Sequence, residues 1–318
     1  MYCLNLKSAD PYFNLAVDEY LLKHRDEDFV VISVNNNSVV TGKHQVAHRE
    51  INTRFAFENS IPLIRRISGG GTVYHDAGNL NFSFILNSTV GKQIDFRKYT
   101  LPVIAFLNSL GIKAQLEGRN DLKVDGLKIS GNAEHVFRNR VLHHGTLLFR
   151  ADLSVLGRIL RKDTSAYATR AVSSNPSPVG NLGSMIQRAG IDGIDDFRKE
   201  MIQWFFNNLS GMQEFDLTET ESKTIGSLAL SRYMTWEWNY AYGPEYQFVN
   251  KFTAFGKESF CLLKVKDGII TECKAGGSDI FIKIAGKLPG CRHMPEDLLS
   301  VFREESPDMT EIDVFDFF

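Results

Sequence analysis

The sequence has no apolar run approaching the roughly eighteen residues that would suggest a membrane span, so no membrane association is expected. It has no excess of positive charge either. Its 36 Lys and Arg against 38 Asp and Glu leave a formal net charge of −2, which argues against wholesale nucleic-acid binding. Cysteine is scarce. Cys3, Cys261, Cys273 and Cys291 are too widely spaced for a zinc pattern, and a chain of this length has little need of disulfides. The opening Met1-Tyr2-Cys3-Leu4-Asn5 lacks the basic start and long apolar stretch of a signal peptide, so a cytoplasmic location is expected. The eight histidines include the adjacent pair His143-His144. Neighbouring residues point in different directions, so this pair is a poor metal grip, and spacing supports no metal site.

What is present is an ordinary globular composition, 43% hydrophobic and 23% charged, able to bury a sizeable core. A length of 318 residues favours two units, one of them small. Asp10-Pro11 caps a first helix in which Phe13, Ala16, Val17, Tyr20 and Leu21 recur at helical spacing. Strands are expected over 29–33 and 38–41, separated by Asn35-Asn36-Asn37, then over 62–67, 72–74 and 79–86. In the last of these, Leu80, Phe82, Phe84 and Leu86 share a face. A helix over 101–110 ends at Gly111. Residues 121–130 read as a hairpin about Asp125-Gly126, the pair that a two-residue type I′ turn prefers. A strand over 142–149 and helices over 195–209 and 220–233 follow. From Tyr246 the pattern changes to short strands about Lys266-Asp267-Gly268 and a final helix over 296–303. The expected class is α+β, with mixed sheets and flanking helices, divided into units of 1–245 and 246–318.

The stretch richest in chemistry is Arg65-Arg66-Ile67-Ser68-Gly69-Gly70-Gly71-Thr72-Val73-Tyr74-His75-Asp76. Three consecutive glycines lose much entropy on folding, a cost that is justified where backbone must closely approach a ligand. Free N–H groups in such a turn make an anion-binding concavity, and the arginines add charge and forked donors. No Gly-Lys-Ser/Thr follows, so this is not a P-loop, and the dinucleotide spacing G-x-G-x-x-G is absent. In the hairpin, regular pairing sets Val124 against Leu127, Lys123 against Lys128 and Leu122 against Ile129. Two opposed lysines repel, so either both are solvated or something negative sits beside one of them. Ser130 shares the face of Lys128 on this pairing, and Gly131 follows where close backbone approach is possible.

The first stretch, extended through Gly78-Asn79, closely resembles the signature of the lipoate–protein ligase A family. So do Arg119-Asn120-Asp121-Leu122, Lys128-Ile129-Ser130-Gly131-Asn132-Ala133 and His143-His144-Gly145-Thr146-Leu147-Leu148, in the family's order. Weaker similarity begins at Phe13-Asn14-Leu15-Ala16, includes Gly42-Lys43, where the family commonly carries Gly-Arg or Gly-Lys before a glutamine, and reaches Trp236-Glu237-Trp238-Asn239. The resemblance implies a catalytic domain related to biotin–protein ligases, with a small accessory domain. It implies a ligase that makes lipoyl-AMP from lipoate and ATP with Mg²⁺, then passes the lipoyl group to lysines of lipoyl domains. The acceptors would be 2-oxoacid dehydrogenase complexes and the glycine cleavage H protein. Carried over by motif, Arg66, Gly71, Thr72, Val73, Tyr74 and Lys128 would contact the nucleotide, with Lys128 also on the acyl group as the catalytic cation. Arg65, Ser68, Gly69, Gly70, His75, Asn79, Asn120, Asp121, Ser130, His144 and Gly145 would complete the site. Leu80, Phe82 and Phe84 line the lipoyl channel or belong to the core.

One stretch departs from the pattern. The family's Ser-Val-Arg-Ser-like run corresponds here to Ala171-Val172-Ser173-Ser174-Asn175-Pro176-Ser177-Pro178-Val179-Gly180-Asn181-Leu182, without arginine, and Arg170 just before it is the candidate substitute. Two other functions compete. An octanoyltransferase of the same superfamily needs a thiolate near the lysine, whereas only Cys3 lies in the first unit. A protein that binds lipoyl-adenylate without transferring the acyl group would keep the same motifs.

Overall fold

The computed structural model describes residues 1–88, 95–118, 120–186, 190–306 and 313–318. Arg119 of the Arg-Asn-Asp motif lies outside the described residues. Eight strands form the main sheet, in the spatial order Gln213–Phe215, Tyr2–Asn5, Phe29–Val34, Asn79–Asn87, Arg140–Leu148, Leu127–Phe137, Asp121–Val124 and Gln115–Glu117. The first three are mutually parallel and the remaining pairings antiparallel. This mixed sheet with helices on both faces is the α+β arrangement expected from the sequence.

Alternation along Asn79–Asn87 distributes its side chains between two cores. Leu80, Phe82 and Phe84 pack with Val103 and Phe106 of helix Phe96–Ser109 and with Phe197, Met201 and Phe205 of helix Ile194–Asn208. They are core residues, so the channel reading of that face is set aside. Ile85 points the other way, among Leu15, Val17 and Leu21 of helix Pro11–His24 and Ile225 of helix Glu219–Leu228. Helix Phe96–Ser109 starts earlier than the sequence pattern indicates, because Asp95 caps it and Pro102 is tolerated inside it. The helix after Leu228 continues as a π-helical turn, Ala229–Tyr233, and a second follows at Glu237–Ala241. Such turns redirect backbone carbonyls, and here those of Trp238 and Asn239 reach Arg65.

A three-stranded sheet carries the glycine loop: Ser38–Thr41 pairs in parallel with Leu63–Arg65 and antiparallel with Val73–His75. A third sheet joins Tyr167–Ala168 to Tyr246–Ala254, Lys257–Lys266 and Ile269–Gly276. Helices Asp279–Lys287 and Pro295–Glu305 cover it around Phe248, Leu263, Phe281 and Phe302. His293 ties this region to the rest. Its Nδ1 accepts from Tyr246 Oη at 2.6 Å, its Nε2–H donates to Phe317 O at 2.7 Å, and its carbonyl accepts from His48 Nε2 at 2.8 Å. Among the described residues no helix is long and apolar enough to cross a membrane.

Candidate active site

The glycine loop is built from beneath by the arginine pair. Arg65 is fully buried, and its guanidinium donates to the carbonyls of Gly42, Lys43, Gln45, Trp238 and Asn239. Arg66 donates to Ser68 Oγ and to the carbonyls of Val40, Gly69 and Gly71. Both forks are thus spent on the protein itself, whereas the sequence reading aimed them at a ligand. Burial pushes each guanidinium down to about 10, with Arg65 adding to the effect on Arg66, so both remain cations at neutral pH. Turning the Gly69 and Gly71 carbonyls down onto Arg66 leaves the N–H groups of Gly69, Gly70 and Gly71 with no protein acceptor among the described residues. This is the concavity expected of an anion site. Gly70 has φ +88°, and a Cβ there would lie 3.0 Å from Arg66 Nη2, so glycine is required on both counts. Thr72 turns its hydroxyl to Gln45 Oε1 at 2.9 Å. The Tyr74 ring is buried among Val39, Phe55 and Leu63, which leaves only its backbone toward the loop.

The hairpin brings up the lysine. Asp125 and Gly126 both have positive φ (49° and 80°), as a type I′ turn demands, and Lys123 stands opposite Lys128. Both lysines have a negative partner. Lys128 Nζ is 2.8 Å from Asp121 Oδ1, and Lys123 Nζ is 3.0 Å from Glu117 Oε2. Beyond the lysines the regular pairing fails. Ile129 is an extra, fully buried residue, so Leu122 faces Ser130 and not Ile129. The bulge therefore takes Ser130 off the face of Lys128 and sets Gly131 there. A Cβ on Gly131 would lie 3.3 Å from Lys128 Cε, 3.4 Å from Nζ and 3.9 Å from Val73 Cγ1. The missing side chain is the groove in which the lysine stem lies, beside the strand that leaves the glycine loop.

A buried polar network fixes these strands. Asn132 Nδ2 donates to Asn120 O and Ser130 Oγ, while Asn120 Nδ2 donates to Asn132 O. His143 bridges Asn132 Oδ1 at 3.3 Å and Glu134 Oε1 at 2.9 Å, and burial holds its pKa below the ordinary value despite Glu134. A Cβ on Gly145 would collide with Asn132 Oδ1 and Phe82. The neighbouring His144 points away from His143, as expected for adjacent strand residues. Its Nε2 lies 2.6 Å from Ser68 Oγ and its Nδ1 3.3 Å from Asp18 Oδ2, which also accepts from Ser83 Oγ. His75 Nδ1 accepts from Asn35 Nδ2 at 2.9 Å, and burial, Arg66 and His144 hold this imidazole down to about 3. Asn35 accepts in turn from Asn14. Asn79 is fully buried and donates to Asn81.

Several residues escaped the sequence reading. Asn14 and Asp18, one helical turn apart, are buried polar members of the first helix, and their spacing inside an apolar pattern was the available signal. Gln45 accepts from Gly42 N–H and from the hydroxyls of Thr41 and Thr72. The segment without the family's arginine lies across the site as a strap. Pro178 O accepts from Lys128 N–H at 2.8 Å and Gly180 N–H donates to Lys128 O at 3.0 Å, while Ser174 contacts Thr72, Gln45 and Glu50. Arg170 is exposed and outside these contacts.

A model of the lipoyl protein ligase A/B catalytic domain matches residues 10–206. The chain is similar to lipoate-protein ligase LplJ of Bacillus subtilis, with 38% identity over 278 residues, covering 86% of this chain and 83% of that protein. Among solved structures, it is similar to the bi-partite lipoate protein ligase of Thermoplasma acidophilum, described with its E2 lipoyl domain. That likeness has a TM-score of 0.62 and 28% identity, over 75% of this chain and 94% of the other. It is also similar to lipoate-protein ligase A bound with ATP, with a TM-score of 0.63 and 27% identity over 75% of this chain and 97% of the other. Sequence, family model and fold agree with the glycine loop and its lysine: the chain belongs to the lipoate–protein ligase family.

Proposed function

We propose that this chain joins lipoate to ATP with loss of pyrophosphate, then passes the lipoyl group from lipoyl-AMP to a lysine of a lipoyl-domain protein with loss of AMP. The observation that carries the reading is the convergence of Lys128 with the glycine loop across Gly131 and Val73. Attack of the lipoate carboxylate on the α-phosphate brings two anions together. The N–H groups of Gly69, Gly70 and Gly71 offer donors for phosphate oxygens. Lys128 offsets the charge that develops there, and later that on the carbonyl oxygen when the acceptor amine attacks the mixed anhydride. Asp121 keeps the ammonium oriented between turnovers. Arg65 and Arg66 act from below, as fixed charge and as the frame of the loop. Asn120, Ser130, Asn132 and Gly145 hold the lysine strand. Ser68, His75 and His144, with Asp18 and Asn35, form the polar wall behind the loop.

Mg²⁺ would arrive with the triphosphate. Asp121 fits such an ion as one hard oxygen donor beside Lys128, with phosphate oxygens and water as the other ligands; the ion would add charge neutralisation at the phosphates. The division into a catalytic unit, 1–245, and an accessory unit, 246–318, is supported by the third sheet, to which residues before Tyr246 contribute only the two-residue edge strand Tyr167–Ala168. The acceptors assigned to the chain are the lipoyl domains of 2-oxoacid dehydrogenase complexes and the glycine cleavage H protein, and its place is the cytoplasm. Incubation of the purified chain with lipoate, Mg²⁺-ATP and an apo lipoyl domain, read by intact mass, tests the whole proposal. The acceptor gains one lipoyl group only when ATP is present. Adenylate formation without transfer would instead mark a lipoyl-adenylate-binding protein.

A further inference from the structure

The strap touches the glycine loop at Ser174, whose backbone and side chain both bond one buried carboxylate. Ser174 N–H donates to Glu50 Oε2 at 3.1 Å, and its hydroxyl donates to the same oxygen. The hydroxyl oxygen accepts from Thr72 N–H at 2.9 Å and from Gln45 Nε2 at 3.2 Å. A Cβ on Gly71 would lie 3.1 Å from Ser174 Oγ, so the strap is seated directly on the loop. Among the described residues the N–H groups of residues 69–71 have no protein acceptor, while that of Thr72, next in the row, already has one. Glu50 is only 4% exposed, and among the described residues its Oε1 has no partner and no cation pairs with it. A buried carboxylate held solely by donors from one strap residue gains hydration if that residue leaves.

We propose that Ser174 is a built-in competitor of the nucleotide: it takes the place of a phosphate oxygen on Thr72 N–H, and Glu50 latches it there. Triphosphate binding exchanges one acceptor for the other and releases residues 172–174. The far end of the strap stays paired with Lys128 through Pro178 and Gly180, so release at Ser174 leaves the lysine strand in register. A two-state element of this kind is moved only by a ligand that favours one state, and the closed fraction lowers apparent affinity. The inference rests on the reading that the glycine loop holds the nucleotide.

The test is calorimetric titration of the full chain with Mg²⁺ and α,β-methylene-ATP, which cannot be cleaved at the bond that adenylation breaks. Ser174→Ala and Glu50→Ala are each expected to lower Kd about three- to tenfold, the scale of one lost competing hydrogen bond. The double variant should gain no more than either single one, because both open the same latch. Trypsin cleavage after the exposed Arg170 should rise in both variants and, in the unaltered chain, on adding the analogue. Unchanged or weaker analogue binding by a folded Ser174→Ala chain overturns the latch. So does a full Glu50→Ala gain that persists on the Ser174→Ala background, since it would mark simple charge repulsion. Gly70→Val separates the two failures: if it leaves analogue affinity intact, the loop does not hold the nucleotide and both proposals fall. If it abolishes binding while Ser174→Ala has no effect, only the latch falls.

Discussion

Lys128 stands directly opposite Lys123 on a two-stranded hairpin, and each is neutralised by its own carboxylate, Asp121 for one and Glu117 for the other. The two lysines are otherwise unequal. Lys128 lies over Gly131 and toward Val73, whereas Lys123 and Glu117 lie on the outer strands of the sheet. Lys128→Ala is therefore expected to lower lipoylation by on the order of 10²–10³, the usual effect of deleting one preorganised charge-stabilising group. Lys123→Ala should be nearly neutral. Single-turnover rates of the two variants decide the matter, and equal losses would remove Lys128 from its role.

Gly131 gives a subtler test of the same groove. A methyl group there would crowd Lys128 Cε and Nζ at 3.3 and 3.4 Å, distances that a flexible side chain relieves by shifting. Gly131→Ala should leave the melting temperature within about 3 °C, consistent with a surface-type substitution of under about 0.5 kcal/mol. Its lipoylation rate should nevertheless fall, because misplacement of a reacting group by about 1 Å can cost on the order of 10²-fold. A normal rate would show that the lysine works from elsewhere.

The triple glycine contains unequal positions too. Gly69 has open space where a Cβ would go, while Gly70 has φ +88° and a Cβ site 3.0 Å from Arg66 Nη2. Gly69→Ala should keep stability and lose little nucleotide affinity. Gly70→Val should lose nucleotide affinity by more than its thermal shift explains, since it displaces the guanidinium that holds both flanking carbonyls. Parallel melting curves and titrations of the two variants test this ordering, and equal affinities would return the loop to an ordinary connection.

Much of this site was legible because its determinants are local. The Asp125-Gly126 turn sets the register of the two lysines by itself, and the glycine run announces a turn with free backbone N–H groups. The bulge at Ile129 was not legible, since regular alternation and a bulged strand both bury Leu122, Val124 and Ile129. The arginines were misdirected for a similar reason: a guanidinium aimed at phosphate and one aimed at backbone carbonyls have the same sequence. Asn14, Asp18 and Glu19 resemble the solvent side of a helix until the sheet covers them. Ser174 depends on Thr72 and Glu50, which are 102 and 124 residues away, and no local pattern joins them. Helix Asp279–Lys287 was missed within a region that otherwise reads as short strands.

Buried histidines make stability sensitive to acid. Burial holds His293 down to about 4, and burial with Arg66 and His144 holds His75 down to about 3. The unfolded chain protonates these rings near the ordinary value of 6.5, while the folded chain refuses the proton until the lower pH. Between about 6.5 and about 4 the unfolded state thus binds more protons, and stability falls as pH drops through that window. Above about 6.5 their contribution is fully present. His293→Gln should flatten the pH dependence of urea unfolding between pH 6.5 and 4 by up to one proton, whatever it does to stability at pH 7.5. An unchanged slope would mean that His293 does not carry this proton linkage.

Catalysis should need none of the four cysteines. All are free thiols, and burial pushes Cys3 up to about 11, Cys273 up to about 12 and Cys261 higher still, with Cys291 also raised. None is therefore a poised thiolate at neutral pH. Cys3 lies in the strand Tyr2–Asn5, between Phe29–Val34 and Gln213–Phe215, and the other three belong to the C-terminal sheet and its surroundings. The mixed anhydride of lipoate with AMP already carries an activated carbonyl, so the ligase route requires no enzyme thioester. An octanoyltransferase would require one. A chain with Cys3 and Cys261 changed to Ala, to suit their burial, and Cys273 and Cys291 changed to Ser should still lipoylate an apo acceptor at a comparable rate in the presence of ATP. Its fold is verified first by circular dichroism, and any loss is then traced through single variants. Mass spectrometry of the unaltered enzyme during turnover should find no acyl group on any cysteine, and such an adduct, or transfer from an acyl carrier thioester without ATP, would replace the ligase mechanism with the transferase.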